Sequence, residues 1–173
     1  MERIQKSDDK IAYDSFNTDG LFASGKSELL PDSETKITAA INTFAKNIKN
    51  TNPNIDIKTA IDYCLVVIGK TDRVPVKADP KNGNKTLSLN RAKTVAGKLS
   101  TVFNASNIKT YGIADAQCPA PQYKRDDQEC RRVDVVWLAQ PCSVLPKVAD
   151  LMDNVVEKAN LFKTISNAIR AEN

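Results

Sequence analysis

A chain of 173 residues is long enough for one domain with a real core and an appendage. Its 41% apolar and 27% charged residues are ordinary for a globular protein, and no run reaches the ~20 apolar residues of a membrane span. The net charge of +4 is mild, with Lys and Arg scattered among Asp and Glu, which argues against nucleic acid as a partner and suits a polyanionic surface.

Residues 1–18 are polar and read as a linker or a short helix. Met1 to Lys6 leads into polar residues, so no signal peptide is legible. If the protein works outside the cytoplasm, a signal or membrane anchor is expected upstream of residue 1. Gly20 to Ser27 reads as a short strand ending in a Gly turn at Gly25 and Lys26. Pro31 suits the first position of a helix, with Asp32 and Glu34 in the first turn. Ile37, Ala40, Ile41, Phe44, Ala45 and Ile48 recur at steps of three and four, the mark of an amphipathic helix. Asn50 to Asn54, with Pro53, ends it.

Tyr63 to Ile68 is a continuous apolar, β-branched run, read as a buried central strand bounded by Gly69. Residues 73–86 read as a loop. Leu89, Ala92, Val95, Ala96, Leu99 and Val102 mark a second helix over Leu87 to about Phe103. Ile108 to Ile113 is a short strand, 114–129 a loop, and Arg132 to Leu138 a final strand. The order β-α-β-α-β-β predicts a two-layer α/β sandwich, with helices on one face of a mixed four-stranded sheet. Residues 144–171 form a third unit. Val148, Met152, Val155, Ala159, Phe162 and Ile169 fall on one helical stripe, with Ser166 in its gap and Leu151 and Ile165 widening it. This C-terminal helix either docks on the domain's own surface or serves a homodimer or another partner. The division is then 1–18, 19–142 and 143–173.

Four cysteines, Cys64, Cys118, Cys130 and Cys142, are widely spaced, and there is no histidine. That disfavours a metal site and fits two disulfides in an oxidising compartment such as the periplasm. Three connectivities are possible. Cys118–Cys130 is favoured because both flank one Pro-rich loop, which leaves Cys64–Cys142 flanking two predicted strands. The competing reading is four buried free thiols in a cytosolic protein.

Enzyme signatures fail on the same residues. Without histidine, no Ser-His or Cys-His pair exists. Ser33-Glu34-Thr35-Lys36 is an S-x-x-K, but its S-D-N and K-T-G partners are missing. No Gly-rich phosphate loop is present. No catalysis and no cofactor is expected.

Three motifs remain: Gly69-Lys70-Thr71-Asp72, then Asn84-Lys85-Thr86-Leu87-Ser88-Leu89-Asn90-Arg91-Ala92, then Cys130-Arg131-Arg132-Val133. In this order they resemble the OmpA-like peptidoglycan-binding domain, including its MotB-type branch, over residues 20–138. Val74-Pro75 after Asp72 is similar to the stator-type branch. The resemblance implies a ligand, the meso-diaminopimelate of the stem peptide of Gram-negative peptidoglycan. Asp72 would pair with its ammonium and Arg91 would grip its carboxylate through two parallel hydrogen bonds. Thr71, Asn84 and backbone N–H groups near Gly25 and Lys26 would assist. Lys70 stands where the family has His, and would either grip a ligand carboxylate or compete for Asp72. Cys130 stands where the family has Asn. Of Arg131 and Arg132, one would support the site through an ion pair and the other would be solvated. The implied job is anchoring a membrane protein, or an inner-membrane channel subunit, to the wall. The alternative is a protein-interaction domain that kept the fold and lost the ligand.

Overall fold

The structure, a computed structural model, describes residues 11–17, 20–23, 25–72, 76–79, 81–114 and 130–144. Four strands, β1 (Ile11–Asn17), β2 (Cys64–Gly69), β3 (Ile108–Gly112) and β4 (Arg132–Leu138), form one sheet in the order β1-β4-β2-β3. β2 and β3 are parallel, and the other two pairings are antiparallel. Two helices, α1 (Ser33–Thr51) and α2 (Gly83–Leu99), alternate with the strands in the chain. The result is the mixed sheet and α/β order that the hydrophobic pattern predicts.

The strand period of two sorts the central strands into faces. Leu65, Val67, Val133, Val135 and Trp137 join Ile37, Ile41, Phe44 and Ile48 of α1 and Ala92, Val95 and Leu99 of α2 in one core. Both helices therefore cover the same face of the sheet. Tyr63, Phe103, Phe44 and Trp137 run through this core with ring centroids 6.1 to 6.3 Å apart. The Tyr63 hydroxyl donates to Ile57 O and accepts from Asn104 N at 2.7 Å, tying two connecting loops together. Burial pushes its pKa up.

Three boundaries differ from the sequence reading. The first strand lies at Ile11–Asn17, inside the span read as a linker or short helix, and not at Gly20–Ser27. Among the described residues β1 is an edge strand that pairs with β4, and its sequence carries polar residues and alternates weakly. Leu21 and Phe22 are buried as loop residues, and the segment closes through Leu30 N to Leu21 O at 2.8 Å. α1 begins at Ser33, after Asp32, with Pro31 just outside. α2 begins at Gly83 and ends at Leu99, where Leu87 and Phe103 were expected. Its first turn lacks apolar periodicity and is held instead by the bonds from Gly83 N to Asp79 O and from Asn82 N to the Asp79 carboxylate.

Cys64 and Cys142 form a disulfide. Cys130 is also disulfide-bonded. Cys118 lies outside the described residues, as does the helix expected over 144–171 from residue 145 on. Among the described residues no helix is long and apolar enough to cross a membrane.

Candidate functional site

The three sequence motifs meet where β2 and β3 end. β2 closes at Gly69, and α2 crosses there so tightly that a β-carbon on Gly69 would sit 1.8 Å from Ser88 O. A β-carbon on Gly112, the matching residue of β3, would meet the Leu89 backbone at 2.5 Å. Both positions therefore require glycine for close approach. Ser88 is fully buried, and its hydroxyl donates to Lys85 O at 2.9 Å and accepts from Ala114 N at 3.2 Å. Ala114 has φ 51°, in the left-handed region that costs an alanine energy. Its carbonyl accepts from Thr71 N at 2.9 Å. The serine of the second motif thus locks β3's exit against the first motif.

Polar contacts continue along one stripe of α2. The Asn84 side chain donates to Asp72 O at 3.4 Å. Arg91, only 4% exposed, donates from Nε to Lys26 O at 2.9 Å and from a terminal nitrogen to Ala23 O at 3.3 Å. Its guanidinium also lies over the Phe22 ring, 5.2 Å from the centroid. Thr94 donates to Ser27 O at 2.7 Å. At the far end Lys98 pairs with Glu34 of α1 at 2.7 Å, which holds the Glu34 carboxyl below its ordinary pKa. Arg91 therefore sits in mid-helix, facing the loop before α1.

Asp72 is buried, and its carboxylate accepts from Arg131 at 2.6 Å. Cys130 precedes Arg131 directly, so a disulfide stands beside this ion pair. Arg132 opens β4, and its carbonyl accepts from Lys70 N at 2.8 Å. The Lys70 ammonium turns to Asp134, 2.5 Å away and 1% exposed. Lys70 follows the parity of Val66 and Ile68, which places it with Asp134 on the sheet face away from the helices. Thr71 Oγ1 is buried with no hydrogen-bond partner among the described residues.

Gly25 has φ 68°, a conformation glycine adopts without strain. Lys26 N is already bonded to Ala23 O at 3.0 Å, closing the turn. So α2 threads together the strand-end motif, through Asn84 and Ser88, and the turn at 23–27, through Arg91 and Thr94. Lys70 stands apart from that stripe. Phe22, Ser88, Thr94 and Ala114 shape the site without being singled out as site residues in the sequence; for Ser88 the available signal was its place three residues before Arg91 in the second motif. Ser33 of the S-x-x-K is 1% exposed, with its hydroxyl 2.7 Å from Leu30 O and 3.0 Å from Leu21 O, where it braces the loop. Among the described residues no three His, Cys, Asp or Glu side chains gather as a metal set would.

No family model matches this chain, and no curated protein matches it. Solved structures do. The periplasmic domain of Helicobacter pylori MotB is similar with a TM-score of 0.58 and 17% identity, over 84% of this chain and 94% of that one. The cell wall anchor of the T6SS from Pseudomonas aeruginosa matches with a TM-score of 0.57 and 20% identity, over 76% of this chain and 83% of that one. A MotB-like protein from Desulfovibrio vulgaris matches with a TM-score of 0.57 and 17% identity, over 75% and 76%. The chain carries the OmpA-like, MotB-type fold.

Proposed function

We propose that this chain binds peptidoglycan non-covalently through the diaminopimelate of the stem peptide. From the periplasm it anchors a membrane protein, or a stator-like channel complex, to the cell wall. The observation that carries this reading is the α2 stripe. Asn84 touches the backbone of Asp72, and Arg91, seven residues on along the same helix, holds the turn at 23–26. Seven residues span about 10 Å of helix, a reach that suits a small zwitterion. A ligand ammonium joins the Asp72 carboxylate beside Arg131, because an ionised carboxylate accepts several hydrogen bonds. The ligand carboxylate is met on the Arg91 side. The likeness in fold to a cell wall anchor and to MotB periplasmic domains supports the same reading. Binding, not bond cleavage, is the whole activity.

A second reading, a protein-interaction domain without wall binding, draws on one observation. Lys70, Asp72 and Arg91 each already have partners within the chain. Sedimentation with two kinds of purified sacculi separates the two readings. One kind carries meso-diaminopimelate in its stem peptide, and the other carries lysine, which lacks the distal carboxylate. The chain is expected to pellet with the first and much less with the second. Equal pelleting would remove diaminopimelate as the feature read, and no pelleting with either would favour the second reading.

A further inference from the structure

Asp134 stands in an otherwise apolar stretch of β4. Val133 and Val135 flank it, and it lies opposite Ser15 of β1 and Ile68 of β2. It is buried in the middle of the sheet. A carboxylate in such a place is costly unless a cation meets it, and the Lys70 ammonium does so at 2.5 Å. A buried ion pair is often no more stabilising than two apolar side chains of similar size. Stability alone is therefore a poor reason for this one, and its position offers another: Lys70 is two residues from Asp72.

Three contacts tie the start of β4 to residues 70–72. Arg131 donates to the Asp72 carboxylate, Arg132 O accepts from Lys70 N, and Asp134 pairs with the Lys70 ammonium. Two residues of chain span at most about 7 Å, within the reach of a lysine's four-carbon stem. Lys70 also carries the same chemical group, a primary ammonium, that the proposed ligand would bring to Asp72. A Lys70 released from Asp134 would compete with that ligand like for like. We propose that Asp134 is a positioning residue for wall binding. By holding the Lys70 ammonium on the sheet face away from the helices, it keeps a resident cation off Asp72 and leaves that carboxylate to the ammonium of the ligand. This rests on the wall-binding reading and assigns that site a residue that touches neither the ligand nor Asp72's partner Arg131.

Sedimentation over a range of concentrations of diaminopimelate-containing sacculi tests this on three full-length chains. They are the native chain, Asp134→Asn, and Asp134→Asn combined with Lys70→Met. Each is first shown to be folded by its thermal transition, and Asp134→Thr, which suits a strand, takes the place of the amide variant if that one does not fold. The single variant is expected to need roughly tenfold more sacculi for half-maximal pelleting, and the double variant to return to within about twofold of native. Recovery is the result that a merely structural role would not give. Removing Lys70 as well takes away the competitor, but it does not rebuild a lost support. Equal pelleting of the native chain and the single variant would overturn the proposal. So would a double variant that stays as weak as the single one, or failure of both single variants to fold. A native chain that does not pellet would overturn the wall-binding reading itself, and this proposal with it.

Discussion

Gly69 is the residue on which the site geometry turns. Its missing β-carbon lets Ser88 O approach the strand end, and no other side chain can do the same without moving backbone against backbone. Gly69→Ala is expected to cost about 3 kcal/mol, the upper range for overpacking a rigid contact. Denaturant unfolding measures it, and a loss under about 0.5 kcal/mol would mean that α2 is free to shift. Ser88→Ala removes the acceptor for Ala114 N while leaving the space filled. Leaving this partly buried N–H unpaired costs roughly 1 kcal/mol, read in the same experiment. Lys70 teaches a different lesson at this scale. In sequence it sits beside Asp72 and invites a role on the ligand. The two-residue period of β2 turns it instead to Asp134, opposite Ile68. That alternation was present in the sequence, and it speaks more clearly than adjacency does.

At the scale of elements, α2 joins parts of the chain that are far apart in sequence. Arg91 and Thr94 together fasten the carbonyls of Ala23, Lys26 and Ser27. Thr94→Val keeps the shape and removes one donor. It is expected to cost about 1 kcal/mol and to speed amide hydrogen exchange at Lys26 and Leu30. Unchanged exchange there would mean that the loop is held without α2. β2 was legible from sequence because a strand buried on both faces reads as an unbroken apolar run, and β4 because only Asp134 interrupts its apolar run from Val133 to Leu138. β1 was not, because an edge strand shares its pattern with polar loops, whereas Leu21 and Phe22 look strand-like yet are loop residues that fill the core. The start of α2 was hidden for a related reason: Gly83, Asn84, Lys85 and Thr86 have no apolar period, and tertiary contacts hold them. For the candidate site, the motif spacing singled out Asp72 and Arg91 as positions. It could not reveal that Arg91 also bonds carbonyls 65 and 68 residues away, or that Arg131 meets the Asp72 carboxylate.

For the whole molecule, the Cys64–Cys142 disulfide closes a loop spanning 78 residues of sequence separation. Within that loop lie β2, α2, β3, β4 and all three motifs. The chain-entropy account gives about 4 kcal/mol for a loop of this size. Paired Cys64→Ser and Cys142→Ser substitution should lower guanidinium stability by about that amount, and reductant should lower it further because Cys130 is also in a disulfide. Stability unchanged by both treatments would remove the disulfides as supports of the fold and, with them, the argument for an oxidising compartment.

The central claim is that Asp72 and Arg91 hold a cell-wall zwitterion, and sedimentation with diaminopimelate-containing sacculi tests it most directly. Asp72→Asn removes the charge with little change in shape. Arg91→Lys keeps the charge but loses the planar fork. Each variant is first shown to be folded by its thermal transition. The native chain is expected to pellet, and each folded variant to remain largely in solution. Pelleting of both folded variants to the native extent would contradict the account.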